Sequence, residues 1–222
     1  MANISHDLKT PLTMIKANAE IAKDLHLNQQ EKQIKDMNII IEETDRLTIL
    51  VNDILNLSKM ESIKEDLNIE SFDLIELINN ILVKYNILET TEKYHFNFIH
   101  KRKKIIIKAD KKKLEQVIYN LINNAINYTG EDNLITIRII TKDSIRVEII
   151  DTGKGIKEED IPYIWDKYYK NKKKHKRNTI GTGLGLSIVK KILEQHHYQY
   201  GVISSENKGS TFYFEIPLKK EG

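Results

Sequence analysis

A helical hairpin followed by an α/β sandwich is the fold class that this 222-residue sequence predicts. Two observations carry it. Residues 3 to about 61 keep an apolar stripe at alternating three- and four-residue steps, the seam of a bundle or coiled coil. From about residue 68 onward, short β-rich runs alternate with amphipathic helical stretches, the pattern of helices laid on one face of a mixed sheet. The expected division is residues 1–65 and 66–222.

In the first part, Ile4, Leu8, Leu12, Ile15, Ala19, Ala22 and Leu25 line one helix. Ile34, Met37, Ile41, Thr44, Leu47, Val51, Ile54 and Leu57 line a second, with a turn over Asn28–Glu31. Two helices bury little of such a stripe, so a second copy completing a four-helix bundle is expected.

In the second part, Phe72 to Glu92 reads as a helix capped by Ser71 or Asp73. Tyr94–Ile99 and Lys104–Lys108 read as a strand pair. Asp110 caps a helix carrying Leu114, Val117, Ile118, Leu121, Ile122 and Ala125. Leu134–Thr141 and Ser144–Ile150 are strands joined by a Lys-Asp turn. Leu184 to His196 is a helix, and Tyr200–Ser205 with Ser210–Pro217 forms a closing hairpin.

Bulk properties exclude several classes. The 35 Lys and Arg against 32 Asp and Glu give a net charge of +3, too small to argue for nucleic acid. The basic stretch Lys170–Arg177 lacks a nucleic-acid-binding motif around it. There is no cysteine, which removes disulfides and thiolate zinc sites. No apolar run approaches the ~20 residues that span a bilayer, and no signal-peptide pattern opens the chain.

Helical geometry places the histidine of Ser5-His-Asp-Leu-Lys-Thr-Pro11. The stripe of the first helix centres near Ile15, and His6 falls roughly 180° from it. Thr10 and Thr13 share that outward face, with Asp7 adjacent in sequence. A carboxylate beside an exposed imidazole can fix one tautomer and leave the other nitrogen nucleophilic. Pro11 removes one helical hydrogen bond a turn beyond.

A second constellation suits a nucleotide. Asp151 ends a strand before Thr-Gly-Lys-Gly155, and its carboxylate could accept from an exocyclic amine such as that of adenine. Gly181, Gly183 and Gly185 open a helix whose backbone amides make an anion site. They match neither the Gly-Lys-Ser/Thr phosphate loop nor a βαβ dinucleotide fingerprint. Asn120 and Asn124 lie one helical turn apart and face one way, and an amide oxygen plus triphosphate could hold magnesium.

In order and spacing these segments resemble the sensor histidine kinases of two-component systems. Ser5-His-Asp-Leu-Lys-Thr-Pro-Leu12 is similar to the signature of their dimerisation and phosphotransfer domain. Glu115-Gln-Val-Ile-Tyr-Asn-Leu-Ile-Asn-Asn-Ala-Ile-Asn-Tyr-Thr129 resembles the asparagine box of their catalytic domain. Asp151-Thr-Gly-Lys-Gly-Ile156 and Gly181-Thr-Gly-Leu-Gly-Leu-Ser-Ile-Val189 resemble its two glycine boxes, and Lys208-Gly-Ser-Thr-Phe212 its terminal hairpin. The resemblance covers nearly the whole chain and implies an α/β sandwich of the Bergerat (GHKL) ATP-binding type.

The same resemblance implies roles. His6 takes the γ-phosphoryl group of ATP, Asp7 orients the imidazole, and Thr10 positions a water for phosphatase chemistry. Asn124 ligates Mg2+, with Asn120 near the phosphates and Tyr128 beside the nucleotide. Asp151 reads the adenine amine in a pocket shaped by Gly153, Gly155 and Ile156. Gly181, Thr182, Gly183, Leu184, Gly185 and Leu186 cover the triphosphate, and Thr211 belongs to the same site. Residues Lys170 to Thr179 form a lid. Lys167 and Tyr168, with Trp165, stand where the family carries its aromatic box.

One departure is Asn127, where the family usually has lysine; a pseudokinase acting as dimeric scaffold or phosphatase is the alternative it raises. Hydrolytic ATPases of the same fold, such as gyrase and the Hsp90 chaperones, carry a glutamate where Asn120 stands, so their general base is missing. The implied partners are a response regulator receiver domain and a second copy of the chain. Because His6 lies one turn from Met1, the chain is expected to be the cytoplasmic end of a membrane sensor, attached through a missing N-terminal sensor region.

Overall fold

The computed structural model describes residues 2–26, 29–62, 66–87, 94–167, 169 and 183–218. The chain forms two compact units, Met1–Ile63 and Lys64–Gly222. No helix among the described residues is long and apolar enough to cross a membrane.

The first unit is a hairpin of α1 (Ala2–Asp24) and α2 (Gln30–Ser62). The turn comes earlier than the sequence suggests, since α1 ends at Asp24 and Gln30 and Glu31 already belong to α2. Pro11 lies inside α1 and is buried. Ala22 and Leu50 are buried between the helices, but Leu12, Met37, Ile41 and Val51 of the expected stripe remain exposed in the single chain. Near the turn, His26 Nδ1 lies 2.6 Å from Asp36 Oδ2.

The second unit begins with a strand where the sequence predicts the start of a helix. Phe72 and Asp73 belong to β1 (Ile69–Asp73), and α3 covers Leu74–Ile87, while positions 88–92 of the expected helix lie outside the described residues. Phe72 is buried opposite Ile107 of β3 (Ile106–Asp110), its antiparallel partner. Asp73 caps α3: its Oδ1 accepts the N–H of Ile75 at 3.0 Å and that of Ile105 at 3.1 Å.

The expected pairing of residues 94–99 with 104–108 does not occur. Instead β2 (His95–Ile99) runs parallel to β4 (Leu134–Thr141), while β3 crosses to β1. The five-stranded sheet has the order β2-β4-β5-β7-β6, with β5 over Ser144–Asp151, β6 over Gln199–Ser204 and β7 over Ser210–Pro217. Apart from the β2–β4 pair it is antiparallel.

One face of that sheet carries Ile135, Ile137, Val147, Ile149, Phe212 and Phe214, all buried. Against it pack α4 (Lys111–Tyr128) and α5 (Gly185–Gln195), with α3 beside α4. All six apolar positions expected to face inward on α4 are buried. Each fully buried aliphatic or phenyl side chain stabilises the fold by about 1.5–3 kcal/mol. The opposite face is ionic: Arg138 and Arg146 donate to Glu148 at 2.7 and 2.9 Å, and Arg146 lies 3.5 Å above the Tyr213 ring. The sandwich with helices on one face matches the fold class read from the sequence.

Asp110 joins this unit together. Its side chain accepts from Lys113 N at the start of α4 and from Asn68 N ahead of β1, at 3.0 and 3.1 Å.

Candidate nucleotide and phosphoacceptor sites

The nucleotide-type residues converge at one end of the sheet. Asp151 is the last residue of β5 and only 3% exposed. Its Oδ1 accepts the N–H of Gly153 at 2.9 Å, which fixes the carboxylate plane. Burial raises its carboxyl pKa, opposed by hydrogen bonds from Gly153 N–H and from the backbone and hydroxyl of Ser210. A buried carboxylate with a fixed orientation is an acceptor for a polarised N–H of a ligand.

The turn after β5 is forced to be glycine by contact. A Cβ at Gly153 would sit 1.7 Å from the carbonyl oxygen of Tyr128, so α4 and the turn touch backbone to backbone. Gly155 has φ +66°, and a Cβ there would meet Ser205 O at 1.9 Å. Ile156 N–H donates to Ser204 Oγ at 2.9 Å, anchoring the end of the turn to β6.

Across from Asp151, α4 presents Asn120 and Asn124 one turn apart. The Nδ2 of Asn120 is buried and has no hydrogen-bond partner, and its amide lies 3.8 Å from the Cβ position of Gly185. A buried N–H without an acceptor costs about 1–3 kcal/mol, which an anionic ligand would relieve. Asn123 instead ties α4 to α3, accepting from Tyr85 OH at 2.8 Å.

Gly185 opens α5. Leu184 stands at its N-cap with no side-chain cap hydrogen bond, and helix N-termini suit anions. Gly183 has φ +71°. Gly181, Thr182, Tyr168 and the expected lid, Lys170–Thr179, lie outside the described residues.

Tyr128 ends α4 with its ring exposed, and Lys167 is exposed. Thr211 is not beside Asp151. It pairs with Ile150 and Ile203, whereas Ser210 pairs with Asp151. Side chains alternate across a strand, so Ser210 reaches the carboxylate and Thr211 lies on the opposite face. Sequence reasoning passes over Ser210 because register is needed to choose between the two hydroxyls. Trp165 stands edge-on against Tyr200 and Phe212, at 4.9 and 5.8 Å, and so anchors its segment to the sheet. Tyr169 OH donates to Asp160 at 2.5 Å, which with burial pushes its pKa up to about 12.

Magnesium fits this donor set in one way. Among the described residues no group of three or more His, Cys, Asp or Glu could hold a metal. A cation would rest on an amide oxygen of α4 and on ligand phosphates, keeping waters, as magnesium prefers. In the other unit, His6, Asp7 and Thr10 lie in the first turns of α1, with Thr10 exposed.

Both parts of the chain match known families. Residues 1–63 match the model of the His Kinase A (phospho-acceptor) domain. Residues 109–220 match that of the histidine kinase-, DNA gyrase B- and HSP90-like ATPases. The sensor histidine kinase WalK of Bacillus subtilis is 30% identical over 100% of this chain and 36% of its own length. The phosphate regulon sensor protein PhoR of Haemophilus influenzae is 34% identical over 99% of this chain and 51% of its own. The chain thus spans about a third to a half of these curated relatives. The catalytic domain of histidine kinase ThkA is 33% identical over 68% of this chain and 95% of its own, with a TM-score of 0.58. ThkA in complex with the response regulator protein TrrA aligns over 97% of this chain and 60% of its own, at 30% identity and a TM-score of 0.77. With both domains matched in order along its length, the chain belongs to the sensor histidine kinase family of two-component systems.

Proposed function

We propose that the chain binds ATP with Mg2+ in the second unit, phosphorylates its own His6 and passes the phosphoryl group to an aspartate of a response regulator. One observation carries the reading: α4 holds the Asn120 amide beside Gly185 at the start of α5 and packs its end against the turn that follows the buried carboxylate of Asp151. Those three groups answer phosphate, phosphate and exocyclic amine respectively. Asp151 accepts the adenine amine, the α5 amides and Asn120 donate to phosphate oxygens, and Asn124 supplies its amide oxygen to the cation. Magnesium, when bound, neutralises charge on the phosphates.

In the transfer step a ring nitrogen of His6 forms a bond to the γ-phosphorus while the bond to the β–γ bridging oxygen breaks, and ADP leaves. Asp7 accepts the N–H on the other side of the imidazole and stabilises the charge that develops there. Thr10 positions a water for the reverse, phosphatase reaction on the phosphorylated regulator. The complex of the relative ThkA with TrrA supports a response regulator as partner. Residues 1–65 are assigned to dimerisation and phosphotransfer, and residues 66–222 to catalysis. The exposed Leu12, Met37, Ile41 and Val51 fit a second copy of the hairpin. In this reading the chain is the cytoplasmic part of a longer membrane sensor, and the relatives it matches are named sensor proteins.

Incubation with γ-labelled ATP and magnesium tests the reading. Acid-labile label on the wild type and none on His6→Gln is the expected result. Nucleotide binding without any label would favour the scaffold alternative that Asn127 raises.

A further inference from the structure

We propose that Asp132 is a positioning residue for the nucleotide site, holding the turn after α4 against the turn after β5. Four hydrogen bonds make the junction. Thr152 Oγ1 donates to Asp132 Oδ1 at 2.5 Å, and the N–H of Leu134 donates to the same oxygen at 3.2 Å. Thr152 Oγ1 accepts the N–H of Gly130 at 3.2 Å. Thr129 Oγ1 donates to the carbonyl of Leu134 at 2.9 Å and lies 3.0 Å from Thr152 Oγ1.

Asp132 sets the polarity of this network. An ionised carboxylate only accepts, so the single hydroxyl proton of Thr152 goes to it and the Thr152 lone pairs are left for Gly130. The Thr152 hydroxyl first, and the Leu134 N–H second, hold the Asp132 carboxyl below its usual range, so it is ionised at neutral pH.

The two turns it joins are those that carry the ligand-facing groups. Thr152 adjoins Asp151, and residues 128–130 end the helix bearing Asn120 and Asn124. They already touch, for a Cβ at Gly130 would lie 2.9 Å from Thr152 O and one at Gly153 1.7 Å from Tyr128 O. The Asp132–Thr152 bond adds a directional link to that contact. Asp132 therefore fixes the spacing between the adenine-reading carboxylate and the phosphate-facing asparagines.

This inference rests on the nucleotide reading, so the test measures Mg-ATP and Mg-GTP affinity of the full chain by calorimetry before any kinetics. For Asp132→Ala the expected result is an ATP Kd about three- to tenfold higher, the scale of one hydrogen bond. The Kd for GTP, which has a carbonyl in place of the 6-amino group read by Asp151, should stay unchanged, so the preference for ATP falls by the same factor. Autophosphorylation should show a raised KM and an unchanged kcat. Asp132→Asn keeps an acceptor at Oδ1 and should return near wild-type affinity. Thr152→Val, which also removes the acceptor of the Gly130 N–H, should weaken ATP binding at least as much as Asp132→Ala, and adding Asp132→Ala to it should cost no more. If Asp132→Ala does not fold, Thr152→Val decides. Wild-type ATP affinity in the variants, even with a lowered Tm, or failure of Asp132→Asn to rescue, overturns the proposal and leaves the site standing. A wild type that binds no nucleotide overturns both.

Discussion

Nε2 of His196 accepts the main-chain N–H of Asp110 across 3.1 Å, tying the end of α5 to the start of α4. Nδ1 of the same ring donates to the carbonyl of Ile192 at 2.9 Å, so the imidazole is neutral with its proton on Nδ1. The helices that carry Asn120 and Gly185 are thereby joined through a group that can titrate.

A pH dependence follows. Burial lowers the His196 pKa from 6.5, so the unfolded chain binds a proton more readily than the folded one. The stability from this bond is present above about pH 6.5 and is lost as pH falls towards the lowered folded value. Thermal melts between pH 7.5 and 5.5 should show Tm falling through the lower half for the wild type. His196→Gln, which keeps an acceptor but does not titrate, should flatten that part of the curve. Parallel curves for both proteins would remove His196 as the cause.

Asp151 should trade stability against binding. Its pKa is raised by burial, so its contribution favours folding below the ordinary carboxyl value and is lost as pH rises through the folded value. At neutral pH the ionised group burdens the empty protein. Asp151→Asn is therefore expected to raise Tm at pH 7, with a smaller gain near pH 4, while weakening ATP binding at least about tenfold through loss of the charged acceptor. A lowered Tm at pH 7 would contradict this.

Gly153→Ala should do the opposite of a tolerated glycine change. Its Cβ would overlap the Tyr128 carbonyl, so α4 or the turn must move. A destabilisation of about 1–3 kcal/mol is expected in denaturant titration, with ATP binding lost. Gly185→Ala meets Asn120 only at 3.8 Å and should be far milder for folding.

In the hairpin, Asp36 is 7% exposed and depends on His26 for its partner. Removing the imidazole leaves a buried acceptor unsatisfied. Helical circular dichroism melts of His26→Ala should show a loss of about 1–3 kcal/mol, and adding Asp36→Ala should cost little more.

What is legible in the sequence follows from locality. The core face of α4 can be read because Asp110 caps it and six apolar residues keep helical spacing within one segment. β1 escapes such a reading because Phe72 and Asp73 run directly into the apolar start of α3, while the partner Ile107 lies far along the chain. β2 and β3 look like a hairpin because they are neighbours in sequence, yet each pairs with a distant strand. The same limit hides Ser210 and Asp132, whose meaning depends on what faces Asp151 and Thr152. Motif residues such as Asn120 and Asp151 need no such knowledge.

The measurement closest to the central claim is the phosphoryl occupancy of the His6 peptide, followed by mass spectrometry at neutral pH after incubation with Mg-ATP. The wild type should carry phosphohistidine at His6, and Asp151→Asn should carry almost none. Phosphate on another residue, or undiminished occupancy in Asp151→Asn, would contradict the claim that this cleft feeds that histidine.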